Sequence, residues 1–529
     1  MTRKIYYTAV FFFSITLFSC KKQLDEVPYS SLSAANVFVS EDGLRQATLG
    51  AYQSWTAMEF TAPYYRFILA ESGHRYTTAG ILGDAFINPY YSFGQTPAAA
   101  EILADWTRMY QSIARANSVI GNANKAVSDT TIANKYIAEA RFLRAYAYFN
   151  LVRNYGGVPI IDKEISSLAD DKLIFGAKAT IEETYNFILK DLQYAESKLP
   201  ATRSGVDLGR LTSAAAKGML GKVYLTMAGK PLSKPEYFQK AVDKLTEITG
   251  PANETTYNLG LQANFPDVFA LANERGKEIL FSFGYFLSSA NPYASIWPFF
   301  LGPRGLLNGD EQTNYGLTYD FYQLYEETDT RRDFTVVPRY KFVGTATDGA
   351  QPGDSIIFDP AQRNYIVKST GGIFGNSAIH CGLAYGKFAR VARPTGANPY
   401  GYPCDLIELR FSDVLLCLAE ALVETSHPAD AVPLLNRVRL RALASAYAGP
   451  VDEASVRAAV RAERRLELTG EFTTVYDIRR WGTLQDEIAA MSPSQIVNGV
   501  INPYAPKLEL YPIPQAQIDA NPNLTQTNW

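Results

Sequence analysis

Three histidines, His74, His380 and His427, stand far apart in a chain of 529 residues, and no H-E-x-x-H run or His/Cys cluster gives any of them metal-ligand spacing. No Gly-rich phosphate loop and no G-x-S-x-G nucleophile turn occurs either. Asp310 with Glu311, and Asp329 with Asp333, have the residue types of a glycosidase's acid and base. Arg331 and Arg332 sit between the second pair, however, and favour an ion-pair cluster over an acid and base poised for catalysis. The chain reads as non-catalytic, with no cofactor and no metal site.

One residue does announce a covalent chemistry. Arg3 and Lys4 open the sequence, Ile5 to Phe18 is uncharged and largely apolar, and Ser19 places a small residue directly before Cys20. That is the pattern of a bacterial lipoprotein signal, cleaved before Cys20 and lipidated on its sulfur; the run falls short of the ~20 residues that a permanent span needs. Lys and Arg total 50 against 53 Asp and Glu, a net charge of -3, and removal of Arg3 and Lys4 with the signal takes -3 to -5. There is no basic excess to neutralise phosphates, which argues against nucleic acid. The remaining cysteines, Cys381, Cys404 and Cys417, are odd in number and lack C-x-x-C spacing; Cys381 and Cys404 are candidates for one bridge, and a disulfide scaffold is excluded at this size.

The elements that must position such residues are legible from periodicity. At 47% hydrophobic and 19% charged the chain is too apolar to be disordered. Helical stripes recur at Leu44 to Trp55 behind Ser40 as N-cap, at Trp106 to Ile120, and at Phe142 to Val152 with Gly156, Gly157 and Pro159 as stop signals. Thr180 and Glu183 form a capping box before Ile181 to Leu199; further stripes run from Ala216 to Met227 and from Phe238 to Ile248. The texture returns at Phe411 to Leu422 and Ala431 to Ala442. Helices of ~15 residues between short Gly/Pro turns, with small residues among large ones, resemble degenerate tetratricopeptide stacking. Pro251 to about Ile407 differs: rich in Gly, Pro and loop aromatics, with short strands expected at Glu278 to Phe283 and Asn364 to Lys368. The expected fold is mainly α, stacked helical hairpins of tetratricopeptide type with a long irregular insert carrying a few short strands. Its parts are a signal peptide over 1–19, a helical part over 20–250, the insert over 251–407 and a second helical part with a signature tail over 408–529.

Six segments, in order, resemble the SusD/RagB family of surface nutrient-binding lipoproteins of Bacteroidetes. They are RFLRAYAYFNLVRNYGGVPII (Arg141 to Ile161), RFSDVLLCLAEALVE (Arg410 to Glu424), NRVRLRA (Asn436 to Ala442), ERRLEL (Glu463 to Leu468), DIRRW (Asp477 to Trp481) and LYPIPQAQIDANPNLTQTN (Leu510 to Asn528). Asp413 stands where the family commonly has Glu, and Thr469-Gly470-Glu471-Phe472-Thr473 replaces the family's F-E-G-x-R. Read physically, Arg464 and Glu467 are spaced to pair along one helix, and Arg479, Arg480 and Trp481 suit a cation and aromatic cluster that stitches helices together.

The resemblance implies a non-catalytic protein on the outer face of the outer membrane, held by lipid on Cys20, that captures a glycan and passes it to a SusC-type TonB-dependent transporter. A peptide or other non-sugar nutrient fits the same fold, and a surface glycoside hydrolase is the remaining alternative. Where family members carry a glycan platform, this chain has Asn88, Tyr90, Tyr91 and Phe93 before the helix that begins near Asp105, and Asn291, Tyr293 and Trp297 in the insert. Sugar C–H faces stack on such rings while hydroxyls meet planar polar groups. The competing role for each of these residues is that of a loop anchor in a small hydrophobic cluster.

Overall fold

The computed structural model describes residues 37–526 apart from 57–61, 80–86, 166, 168, 286–294, 307–310, 312, 346–348, 375–381, 388–400 and 497–498. Cys20 and the signal segment therefore lie outside the described residues, as do Asn291, Tyr293, Asp310, His380 and Cys381.

Among the described residues, the longer helices of the first part are α1 (Glu41–Gln53), α2 (Ala62–Glu71), α3 (Ala100–Ala126), α4 (Thr130–Tyr155), α5 (Ile181–Lys198), α6 (Ser213–Ala228) and α7 (Glu236–Thr246). Their ends follow the sequence signals. Ser40 accepts the Gly43 N–H at 3.2 Å at the start of α1. Thr180 and Glu183 form both halves of the capping box ahead of α5. α4 stops at Gly156, where φ is +77°, and a Cβ on Gly157 would lie 2.0 Å from the Ala179 carbonyl oxygen, so the turn needs glycine there. α4 is buried on every side, and Phe142, Tyr146 and Phe149 all lie in the main core. An amphipathic helix shows one apolar stripe; one that is apolar all round belongs at the centre of a stack.

The stack runs α3, α4, α5, α6, α7 in chain order, each packed on the next, and does not stop where the first part ends. After the insert come α8 (Phe411–Glu424), α9 (Pro428–Arg441), α10 (Glu453–Leu468) and α11 (Thr474–Trp481). α8 packs on α6 and α7, so the C-terminal helices extend the N-terminal layer.

The insert leaves and returns at one place. Numbering the strands in chain order, β1 is Thr77–Ala79, β2 Ile279–Phe283, β3 Tyr315–Leu317, β4 Val336–Val337, β5 Arg339–Lys341, β6 Ser355–Asp359, β7 Asn364–Val367, β8 Leu383–Tyr385 and β9 Leu406–Arg410. β2 pairs antiparallel with β9, Phe283 opposite Leu406, closing the insert at its neck. β1, β3, β8 and β4 form one sheet in that order, and β5, β6 and β7 a second. Two strands expected from sequence are present as β2 and β7. The others, at two to five residues, have no counterpart among the strands expected from sequence; β6 alternates only in burial and β9 is buried throughout. Among the described residues, no helix is long and apolar enough to cross a membrane.

Candidate functional site

Proline opens two short helices that carry the expected ligand residues, Asn88–Ser92 with Pro89 and Trp297–Leu301 with Pro298. Both turn their large rings inward. Trp297 has no solvent exposure, Tyr91 keeps 1% and Tyr90 3%. Trp297 lies 5.7 Å from Phe67 and 5.2 Å from Phe472, centroid to centroid. Phe67, on α2, also meets Tyr315 at 5.0 Å and Tyr385 at 5.5 Å. Tyr90 donates its hydroxyl to Glu101 at 3.4 Å and meets Tyr511 edge-on.

A stacking platform needs an open ring face, and these three rings have none. The expectation that Tyr90, Tyr91 and Trp297 present a sugar platform is corrected: they are anchors. The physical reason is area, since each such ring buries 150–250 Å² and a chain with a large core to fill draws it inward. Asn88 and Phe93 are half-buried, and Phe93 sits in the left-handed region at φ 57°. Asn291 and Tyr293 belong to the segment outside the described residues.

Behind these anchors lies a charged layer that sequence spacing did not reveal. Arg66 of α2, 3% exposed, donates to Glu408 of β9 at 2.6 Å and to the Tyr146 hydroxyl of α4. Its guanidinium also lies 4.7 Å from the Phe472 ring. One turn later Glu71 reaches the Thr469 to Thr473 loop that departs from the family pattern. It accepts from the N–H of Gly470 at 3.1 Å, the N–H of Thr473 at 2.8 Å and the Thr474 hydroxyl at 2.7 Å. Burial pushes the Glu71 carboxyl up to about 7 against the pull of those donors. The altered loop thus keeps its backbone satisfied through one carboxylate 400 residues upstream in sequence. A lone Arg and Glu at the two ends of a helical stripe were the only signal for this layer.

Charges of the insert and of the second helical part form a buried ion network. Arg331 binds Asp329 at 2.7 Å, as its flanking position suggested, and continues to Glu467 at 2.8 Å. Asp333 accepts the Tyr322 hydroxyl at 2.7 Å. Arg464 and Glu467 do not pair with each other, which corrects the expectation from spacing. Arg464 turns to Asp413 and Asp477, each at 2.8 Å, while Glu467 takes Arg331, Arg410 and Arg441. Fully buried charges choose the partners that complete a network, and helical neighbours three apart are only one option. Arg480 bridges Asp477 and Glu420, and the Trp481 ring donates Nε1–H to Glu420 at 2.7 Å, so this motif does stitch helices. Asp413 accepts from Lys222 at 2.7 Å, which holds its carboxyl below the usual range despite burial. Cys404 is a buried thiol, pushed up to about 12 by desolvation, and its candidate partner Cys381 lies outside the described residues.

A groove of about 670 Å³ runs along the outer face of α3. Trp106, Tyr110 and Phe175 supply aromatic wall, and Gln111, Gln517 and Asn521 supply amides. Its size and its mixed lining suit a small-molecule site. Phe175 is 37% exposed, unlike the anchors described above. No group of three or more His, Cys, Asp or Glu side chains arranged to hold a metal ion occurs among the described residues.

Comparison with known proteins gives two family matches that tile the chain. A family described as "Starch-binding associating with outer membrane" matches residues 22–225, and one described as the SusD family matches residues 232–529. The chain is 28% identical over 477 residues to SusD-like protein P2 of Formosa agariphila, covering 88% of each. Its fold is similar to that of a SusD homolog from Bacteroides thetaiotaomicron, with a TM-score of 0.78 at 23% identity over 94% of this chain and 98% of that one. It is also similar to a laminarin-binding SusD-like protein, with a TM-score of 0.73 at 21% identity over 93% of this chain and 99% of that one.

Proposed function

The chain belongs to the SusD family, and from that premise we propose that it binds a glycan at the cell surface without catalysis and delivers it to a SusC-type TonB-dependent transporter. The observation that carries the reading is the pair of family matches over 22–225 and 232–529, the first of them to a family described as starch-binding and associating with the outer membrane. The laminarin-binding relative supports it. Lipid on Cys20 would supply the membrane attachment. One acyl chain holds a protein loosely, so contact of the helical body with the transporter would add the second hold.

For the ligand, we place the contacts on Asn88 and Phe93 together with Asn291 and Tyr293. The buried rings support this indirectly. The Pro298 turn is rooted through Trp297 beside Phe67, and Tyr91 is buried in the same hydrophobic core. The groove along α3 is the second location, favoured by its half-open Tyr110 and Phe175.

A glycan array with purified protein, followed by titration calorimetry of Phe93→Ala, Tyr293→Ala, Tyr110→Ala and Phe175→Ala, tests the reading. Losing affinity in the first pair places the ligand on the loops, and in the second pair on the groove. A protein that binds no glycan but retains peptides from a library would overturn it.

A further inference from the structure

Where α4, α5, α6 and α11 meet the C-terminal segment, a cavity of about 140 Å³ is lined by Arg153, Lys230, Arg479 and Arg480, with Glu509 as the single carboxylate. The four cations are not equivalent. Arg480 is already neutralised by Asp477 and Glu420. Arg153 donates only to neutral acceptors, the Phe149 carbonyl at 3.2 Å and the Asn150 side chain at 2.8 Å. Lys230 lies exposed at the edge of the cavity, and no ion pair is formed by its ammonium among the described residues. Glu509 accepts from the Tyr504 hydroxyl at 2.9 Å.

Arg479 is the decisive group. It is 8% exposed, and its Nε and Nη1 are buried without any hydrogen-bond partner. Nη2 makes a long contact to the Leu508 carbonyl at 3.4 Å, and the Tyr511 hydroxyl is a second acceptor near the guanidinium. Its guanidinium carbon lies 4.2 Å from the Tyr511 ring centre, an attractive cation–π contact. Leaving buried donors of a charged group unpaired costs more than an ordinary hydrogen bond returns. Each unpaired N–H is a charge-assisted donor that an oxygen of a carboxylate, sulfate or phosphate can accept.

We propose that this cavity is a binding site for a small oxyanion group, gripped by the unpaired Nε–H and Nη1–H groups of Arg479 and neutralised by Arg153 and Lys230. Nothing in this depends on glycan capture at the loops or the groove, and the site lies on residues of neither. The oxyanion reaches it either as a free ion or as an acidic substituent of a larger molecule.

Equilibrium dialysis of the full chain with radiolabelled sulfate, at fixed sodium chloride, tests it. Wild type should bind, Arg479→Gln should bind about tenfold more weakly or worse, and Lys230→Ala about two- to fivefold more weakly. Lys230 is on the surface, so its variant keeps the test valid if Arg479→Gln misfolds, which far-UV circular dichroism would show. Competition with methyl glucuronide and with glucose 6-sulfate separates the sources: displacement by either means that an acid group on a sugar fits, and displacement by neither means a site for the free ion. Failure of wild type to retain sulfate or either sugar acid, or equal binding by wild type and Lys230→Ala, would overturn the proposal.

Discussion

Arg331 of the insert donates to Glu467 of α10 at 2.8 Å, and neither side chain retains any solvent exposure. The same carboxylate receives Arg410 at the neck of the insert and Arg441 at the end of α9. Burial alone would raise the Glu467 carboxyl, yet these guanidiniums hold it well below its usual range. One side chain therefore fastens the insert to the helical body.

Removing it should be costly. Glu467→Ala leaves three buried guanidiniums short of a counter-charge and is expected to cost about 3–5 kcal/mol in denaturant unfolding. Arg437→Ala, which breaks a partly exposed pair with Glu254 at 2.8 Å, should cost about 1 kcal/mol or less. Equal losses in the two variants would show that the buried network carries no special weight.

Trp297→Ala should lower stability by about 3–5 kcal/mol while leaving glycan affinity unchanged, because the indole is enclosed by Phe67 and Phe472. Calorimetric melting alongside ligand titration decides it. Weakened binding with an unchanged melting temperature would return this ring to the ligand site.

Two buried groups near the end of α2 give opposing pH dependences. Burial lowers His74 from 6.5 to about 3, with Glu487, Arg465 and Arg75 around it. The unfolded chain takes up that proton below pH 6.5 and the folded chain does not, so this contribution to stability is complete above 6.5 and is lost as pH falls towards 3. Glu71 is raised from 4.5 to about 7. There the folded chain holds the extra proton, so its contribution is complete below 4.5 and is lost as pH rises to 7. Melting curves from pH 4 to 8 should show wild type losing stability relative to Glu71→Gln as pH rises, and relative to His74→Asn as pH falls. Parallel curves for all three proteins would contradict both assignments.

Cys20→Ala should release the protein from the membrane fraction, and wild-type cells should expose it to added protease. Mass spectrometry of the N-terminal peptide checks the chemistry directly: an unacylated wild-type peptide would rule the anchor out.

A tagged wild-type protein purified in mild detergent after cross-linking should bring down a large β-barrel protein. Recovery of the lipoprotein alone would count against delivery to a transporter.

Sequence alone determined the helices whose stripes it showed, because amphipathic periodicity, the Thr180–Glu183 box and the Gly156 stop are local signals that the local chain obeys; α2 gave no such signal. It also determined the family, through motifs whose charges proved to be the interior ion network. Which charges pair was decided only in three dimensions: Arg464 passes over the nearby Glu467 for Asp413 and Asp477, since burial rewards a closed network over a close neighbour. The direction in which a loop aromatic points was decided there too. Tyr90, Tyr91 and Trp297 have the composition of a binding platform, yet all three are buried, Trp297 against Phe67 and Phe472 and Tyr90 against Tyr511. Tertiary structure alone also left Nε and Nη1 of Arg479 without partners, because an arginine's partners come from segments that sequence spacing does not bring together.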